Sequence, residues 1–298
     1  MRSFQCRLAE LVLRLTRSKS RYASEANLRK SVNKNRKAGP ELPHYPDHAQ
    51  LECGRAEFHG RPVYTIRPQG ESPRKQLLYF HGGAYVHGVT KHHWQFVGKL
   101  ARGLSANVTV PLYPLAPEHQ ATEVFDLAIK LYEDLLKHTR PEDLIIAGDS
   151  AGGGLALSLV HQLRERGIAL PSRLLLVSPW LDAELNDPEI PTLERHDPMI
   201  SVPGLRAAGR WYAGDIALND PRISPIHMDL EGLPPTQLLI GTHDILWPDA
   251  RKFREKALRL GAPLSYYEYP EMFHDWALTS ILPEAKRAVE QIVGFQGL

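Results

Sequence analysis

A serine lies inside the pattern GDSAG at residues 148–152. The apolar run before it, residues 144–147, is typical of a strand buried in a parallel sheet, and the small and apolar residues after it suit a closely packed helix. A strand that enters a helix through this pattern turns sharply and presents the hydroxyl of Ser150 at the helix N-terminus. Ser150 is therefore a candidate nucleophile, and a tight βα loop without chemistry is the alternative.

An acid and a base follow further along the chain. Asp244 closes the apolar run TQLLIGTH, and His274 lies in the loop after LSYYEYPEMF. A serine hydroxyl needs an imidazole to accept its proton and a carboxylate to hold that imidazole in the correct tautomer. The carboxyl ends of parallel strands meet at one edge of a sheet. The α/β-hydrolases have the chain order serine, acid, histidine, which differs from the orders in chymotrypsin and subtilisin.

A pair of glycines follows a third apolar run. In LLYFHGGAY, Gly82 and Gly83 come directly after the predicted strand. Two glycines at such a place let successive backbone amides point into a cleft. This pattern predicts an oxyanion hole next to the nucleophile.

The chain resembles the hormone-sensitive-lipase-like family of α/β-hydrolase carboxylesterases, in the bacterial-type branch that carries GDSAGG. The resemblance runs from about residue 77 onward, through YFHGGAYVHG, YPLAPEH, IIAGDSAGGGLAL, SPWLD, HDPMIS, DPRISPIHMDLEGLPPTQLLIGTHDIL and YPEMFHDW. It implies an α/β fold, with a mainly parallel sheet covered by helices on both faces and a helical cap. No metal or other cofactor is expected.

The resemblance also implies roles for six residues. The catalytic ones would be Ser150 as nucleophile, His274 as base and Asp244 as orienting acid. The oxyanion-hole amides would be those of Gly82, Gly83 and Ala151. The sequence departs from the family at Ala84, where many members have a third glycine, and APEHQATEV lacks the proline usually found soon after the histidine.

Four titratable residues beside these motifs have structural interpretations. Asp249 follows a proline at a predicted helix start, where a carboxylate complements the helix dipole. His243 adjoins Asp244, but adjacent side chains point in different directions. His81 is expected to support the glycine loop, and Asp149 to brace the turn before the nucleophile.

Composition sets limits on the class of protein. The chain has 298 residues, 43% hydrophobic and 23% charged, with a formal net charge of +2, which gives no reason to expect nucleic-acid binding. Cys6 and Cys53 are too few for a disulfide framework and fit a reducing compartment, so a cytoplasmic location is expected. No apolar run is long enough for stable membrane insertion. The histidines His87, His92 and His93 lack the spacing of a zinc site.

The first 40 residues carry eleven cationic side chains against two acidic ones. Apolar residues recur there on one helical face; they are Phe4, Leu8, Leu11, Val12 and Leu15. Residues 1–48 are expected to form a helical cap segment, and residues 49–298 the catalytic domain with a cap insertion at about 183–215. A transit peptide or a helix on an anionic membrane remains open for residues 1–40.

The cap should limit the substrate to small esters with short to medium acyl chains. The residues proposed to line its pocket are Tyr85, Trp94, Trp180, Met199, Trp211, Tyr212, Trp247 and Trp276. The predicted function is a serine carboxylesterase. A lactonase, thioesterase or amidase with the same triad, or a non-catalytic ligand-binding module of this fold, remains an alternative. A homodimer is possible.

Overall fold

The central sheet has eight strands in the order β1-β2-β4-β3-β5-β6-β7-β8. A computed structural model describes residues 2–45 and 50–295. The strands are β1 (Leu51–Phe58), β2 (Arg61–Pro68), β3 (Lys75–Phe80), β4 (Ala106–Pro111), β5 (Leu144–Asp149), β6 (Arg173–Val177), β7 (Thr236–Gly241) and β8 (Leu264–Tyr269). Along this order, the pairs from β4 to β8 are parallel. β1 and β2 form an antiparallel hairpin at one edge, and β2 pairs antiparallel with β4.

Helices cover both faces of this sheet, and each face has its own apolar core. The helices are α1 (Phe4–Leu15), α2 (Glu25–Ala38), α3 (Lys91–Leu104), α4 (Ala121–Leu136), α5 (Ser150–Glu165), α6 (Ile190–Glu194), α7 (Val202–Ala213), α8 (Trp247–Leu260) and α9 (Pro283–Gly294). Helices α4, α5 and α8 pack on one face, and α3 and α9 pack on the other. This arrangement is the predicted α/β fold, with a mainly parallel sheet covered by helices on both faces.

The N-terminal segment and the insertion after β6 pack against each other. A short 3₁₀ turn, Ser18–Tyr22, joins α1 to α2. The Lys19 ammonium donates to the backbone carbonyls of Glu194 and Asp197. A Cβ atom at Gly204, in α7, would lie 2.5 Å from the Tyr22 backbone, so the two segments are in direct contact there. The predicted boundary at residues 48 and 49 falls outside the described residues.

Within residues 2–45 and 50–295, no helix combines the length and the apolar content needed to cross a membrane.

Candidate active site

Three strand ends bring Ser150, His274 and Asp244 together. The hydroxyl of Ser150 lies 2.9 Å from Nε2 of His274, and Nδ1 of the same ring lies 2.8 Å from Oδ2 of Asp244. Ser150 follows β5 directly and has φ +50°, a left-handed conformation that is uncommon for a residue other than glycine and marks a sharp turn. All three side chains are buried. Their contacts form the hydrogen-bonded chain from nucleophile to base to acid that acyl transfer requires.

A second carboxylate contacts the same imidazole. Oδ2 of Asp275 lies 3.2 Å from Nε2 of His274. Burial disfavours the charged imidazolium, but the carboxylates of Asp244 and Asp275 outweigh burial and raise the pKa of His274 well above its ordinary value of 6.5. His274 therefore binds its proton tightly once it has taken it from the serine.

Asp275 is a site residue that the sequence motifs did not reveal. It has φ +53°, and its amide donates to the hydroxyl of Ser178 at 3.2 Å, which fixes the turn after His274. Burial raises the pKa of Asp275 to about 6, with a further contribution from Asp149 and an opposing one from His274. A carboxylate immediately after the histidine gives no motif that distinguishes it from a solvated loop residue.

The structure corrects the predicted role of Gly82. Its amide donates to Oδ2 of Asp149 at 3.0 Å and is therefore not available to an oxyanion. Among the hydrogen bonds of the described residues, none uses the amides of Gly83, Ala84 or Ala151. These three amides lie beside Ser150 on the glycine loop and at the first turn of α5, where helical amides lack intrahelical acceptors. The available donors are thus Gly83, Ala84 and Ala151.

Ala84 takes its place in this set through an unusual backbone. The φ angle of Ala84 is +54°, and that of Tyr85 is +61°. A positive φ is easy for glycine and less favourable for alanine, which explains why many members of the resembling family have glycine at this position. Ala84 therefore retains the turn geometry while adding a methyl group to the wall of the site.

Asp149 ties the glycine loop to the nucleophile turn. Besides the Gly82 amide, it accepts from the hydroxyl of Tyr79 and lies 3.2 Å from Nε2 of His93. Burial alone would raise the pKa of Asp149, but His93 and Tyr79 outweigh it and lower that pKa. His93 is thus a partner of this acid. His81 has the predicted supporting role, because its ring stacks on that of Tyr113 and its backbone carbonyl accepts a hydrogen bond from the Tyr113 hydroxyl.

A run of glycines lets α5 approach the sheet at its first turn. A Cβ atom would lie 2.0 Å from the carbonyl oxygen of Phe80 at Gly152, 2.9 Å from Pro179 at Gly153, and 2.3 Å from the carbonyl oxygen of Trp180 at Gly154. Real Cβ atoms do not approach neighbours this closely, so glycine is required at the first and third of these positions, where the neighbour is backbone. The helix that carries Ser150 is therefore positioned by main-chain contacts.

Asp197 connects the cap insertion to the loop of the triad acid. It accepts from the amides of Met199 at 2.7 Å and Ile200 at 3.0 Å, and from the amide of Ile245 at 3.2 Å. Burial and the nearby carboxylate of Asp244 raise its pKa to about 7. This buried acid holds the wall of the site and the loop that follows β7 in one arrangement.

A cavity of about 500 Å³ opens above Ser150 and His274. Helix α1 contributes Leu8 and Val12 to its wall, and the insertion contributes Met199. The other lining residues are Gln5, Ala9, Leu13, Arg21, Tyr22, Gly83, Ala84, His87, Gly88, Thr90, His92, His93, Ile200, Leu205, Phe273, Asp275, Leu278, Thr279 and Ile281. The wall is mostly apolar, which suits the acyl or alcohol part of an ester.

Most of the predicted pocket residues lie elsewhere. Of the eight proposed side chains, only Met199 lines the cavity. Tyr85 stacks between Tyr212, at a centroid distance of 3.7 Å, and Trp180, at 5.7 Å, in the core on the α5 side of the sheet. These three rings pack against each other in the core, and this packing buries their large apolar surfaces.

The remaining tryptophans are also occupied by other contacts. Trp94 is buried and donates to the carbonyl of Glu41, and Trp276 is buried against Tyr269. Trp211 lies under the guanidinium of Arg29, and Trp247 donates to Glu268. Core packing selects the same residue types as a pocket wall. The predicted residues that do not line this cavity are Tyr85, Trp94, Trp180, Trp211, Tyr212, Trp247 and Trp276.

Other titratable groups lie away from this chemistry. Asp249 is buried at the start of α8 and, within the described part of the chain, its carboxylate oxygens accept no hydrogen bond. Among these residues, one group of side chains has ligand atoms close enough to hold a metal ion, namely Asp182, Glu184 and His227, and it does not line the cavity.

Comparison with known proteins agrees with this geometry. A family described by the α/β-hydrolase fold matches residues 77–278. An esterase of Acinetobacter venetianus is 35% identical over 244 residues, covering 79% of this chain and 80% of that protein. An acetyl-hydrolase of Streptomyces hygroscopicus is 34% identical over 227 residues, with 76% of each chain covered.

A solved structure extends the comparison over almost the whole chain. The crystal structure of an esterase from the bacterial hormone-sensitive lipase family superposes with a TM-score of 0.85 at 27% identity, covering 98% of this chain and 97% of that one. The chain is a hydrolase that belongs to the α/β-hydrolase fold family, among the esterases that resemble hormone-sensitive lipase.

Proposed function

We propose that the protein is a serine carboxylesterase that hydrolyses esters with short to medium acyl chains. The observation that carries the proposal is the pair of contacts at His274, 2.9 Å to the hydroxyl of Ser150 and 2.8 Å to the carboxylate of Asp244, at the base of an apolar cavity. A buried serine with a base and an orienting acid is the arrangement that activates a hydroxyl for attack on a carbonyl.

The reaction then proceeds in two acyl transfers. His274 takes the proton of Ser150 while the serine oxygen bonds to the ester carbon, and the resulting oxyanion accepts hydrogen bonds from Gly83, Ala84 and Ala151. The alkoxide leaves with the proton returned by His274, which gives an acyl-enzyme and the free alcohol. Water attacks the acyl-enzyme with the same base, releases the acid and restores the serine.

The size and position of the cavity support a limited acyl range. A volume of about 500 Å³ lies within the range of small-molecule sites. Met199, Leu205 and Leu278 form part of the apolar wall of the cavity. One curated relative is an acetyl-hydrolase, which is a short-chain activity. We also propose a cytoplasmic location, since Cys6 and Cys53 are both free thiols.

The test is hydrolysis of p-nitrophenyl esters from acetate to palmitate by the unmodified protein and by Ser150→Ala. We expect turnover to peak at short to medium chains and to fall by at least a thousandfold in the variant, which loses its nucleophile. Ser158→Ala is a matched control, because Ser158 lies two turns further along the same helix and bonds only to a backbone carbonyl. Equal activity in Ser150→Ala and the unmodified protein would refute the proposal.

A further inference from the structure

Helix α1 exposes an apolar stripe to solvent. The stripe residues are Phe4, Leu8, Leu11, Val12 and Leu15, whose exposed fractions run from 49% to 76%. They recur at the spacing of one helical face. The opposite side of the helix contacts the protein, where Cys6 is fully buried and lies 3.5 Å from the sulfur of Met272, and Ala9 and Leu13 pack on the core.

The stripe continues to the mouth of the active-site cavity. Leu8 and Val12 belong both to the stripe and to the cavity wall. Ile281, which lies before α9 and is 73% exposed, also lines the cavity. Large exposed apolar side chains elsewhere in the described residues are few; they are Leu42, Leu258 and Leu260. Exposed apolar surface concentrated in one place marks an interaction site.

The charges around the stripe select the partner. Residues 2–22 contain six cationic side chains and a single acidic one, Glu10, which pairs with Arg2 and Arg14. Arg7 and Arg17 are exposed on α1 and just after it, and no carboxylate of the described residues pairs with either. A second copy of this chain on the same face would bring these cations toward one another. An anionic lipid surface accepts both the apolar stripe and the arginines.

We propose that the outer face of α1, together with Ile281, docks on anionic lipid bilayers and places the mouth of the cavity at the lipid–water boundary. Stripe side chains enter the acyl boundary while the arginines contact lipid phosphates. Esters that partition into lipid then reach Ser150 through the part of the cavity mouth that Leu8 and Val12 line. This substrate route rests on the proposed esterase function, whereas the docking itself does not.

The test measures docking without turnover. Ser150→Ala protein is sedimented with vesicles of phosphatidylglycerol and phosphatidylcholine, or of phosphatidylcholine alone, at low and at high salt. We expect binding to the anionic vesicles at low salt, weaker binding at high salt, and little binding to the neutral vesicles. Esterase activity is assayed separately on p-nitrophenyl butyrate in solution, so a failed docking result and a failed enzymatic function are distinguishable.

Two sets of variants test the residues involved. Phe4→Gln, Leu11→Gln and Leu15→Gln together remove apolar surface without touching the cavity wall, and we expect at least tenfold weaker binding. The matched control is Leu258→Gln with Leu260→Gln, which are 68% and 54% exposed on α8.

The charge variant is Arg7→Gln with Arg17→Gln, and its control is Arg55→Gln with Arg259→Gln. Each arginine near an anionic surface contributes about fivefold to binding at low salt, so the charge variant should bind about 25-fold more weakly. Circular dichroism and thermal melting verify that each variant is folded.

Three results would overturn the proposal. One is a folded protein that does not sediment with anionic vesicles at low salt. Another is an equal loss of binding in the control variants. The third is a dimer in size-exclusion chromatography that the stripe variant alone converts to a monomer without any vesicle binding, which would assign the face to a second copy of the chain.

Discussion

Replacing Asp275 with asparagine should move the pH profile of the reaction. Protonated His274 cannot accept the serine proton, so kcat/KM falls as pH drops through the pKa of His274. Because that pKa is raised well above 6.5, the fall in the unmodified protein is expected above pH 6.5. Removing one of the two carboxylates that stabilise the imidazolium lowers the pKa, and the acidic limb moves to lower pH.

The size of the movement follows from the distance. Two unit charges at 3.2 Å attract by about 1.3 kcal/mol even at the dielectric constant of water, and by about 5 kcal/mol at an effective value near 20. The smaller figure corresponds to a tenfold change in proton affinity, or about one pH unit. Asp275 has a pKa of about 6 and is therefore mostly ionised at the midpoint of the limb, so the smaller figure is a lower bound.

The assay is kcat/KM for p-nitrophenyl butyrate between pH 5 and pH 9. In Asp275→Asn, the midpoint of the acidic limb should lie at least about one pH unit lower, whatever happens to the maximum rate. Asp143→Asn is the matched control. Asp143 lies just before β5, at the end of that strand away from Ser150, and pairs with two arginines on the surface. A midpoint that stays in place, or moves to higher pH, would show that Asp275 does not stabilise the charged imidazole.

Three further substitutions test other contacts of the site. Gly82→Ala should lower both activity and thermal stability, because the new Cβ would lie 2.3 Å from the Asp149 carboxylate; wild-type-like melting and kcat would contradict this. Met199→Ala enlarges the cavity wall and should raise the ratio of octanoate to butyrate hydrolysis, a ratio that an unchanged wall would leave constant. Asp197→Asn places an amide donor opposite the donating amide of Ile245 and should destabilise the fold by about 1–3 kcal/mol in urea unfolding, and unchanged stability would argue against that hydrogen bond.

The convergence of three side chains was the part of the site that the sequence predicted best. Ser150, Asp244 and His274 each follow an apolar run, and parallel strands end at one edge, so their convergence could be argued without coordinates. Gly82 shows the limit of this argument. Which of several consecutive amides faces the cleft depends on the turn itself, and here Asp149 takes the first one.

The pocket could not be predicted for a different reason. Aromatic residues such as Tyr85 and Tyr212 bury large surfaces equally well in a core and in a pocket wall, and nothing in the local sequence separates the two. The wall instead uses Leu8 and Val12 from a helix far from the catalytic motifs along the chain. That helix was predicted from its periodicity, but the pattern did not reveal that its apolar face is turned to solvent.

The glycine run at the start of α5 has a consequence for how this protein tolerates mutation. Gly152 and Gly154 fit against the carbonyls of Phe80 and Trp180, and a carbonyl is the same atom group whatever side chain its residue carries. Substitutions at Phe80 or Trp180 therefore alter the core while the support beneath Ser150 keeps its chemical identity. Side chains in the core can therefore change without altering the main-chain contacts that position Ser150. Gly152 and Gly154 cannot be replaced in this way, because any side chain there would clash with those carbonyls.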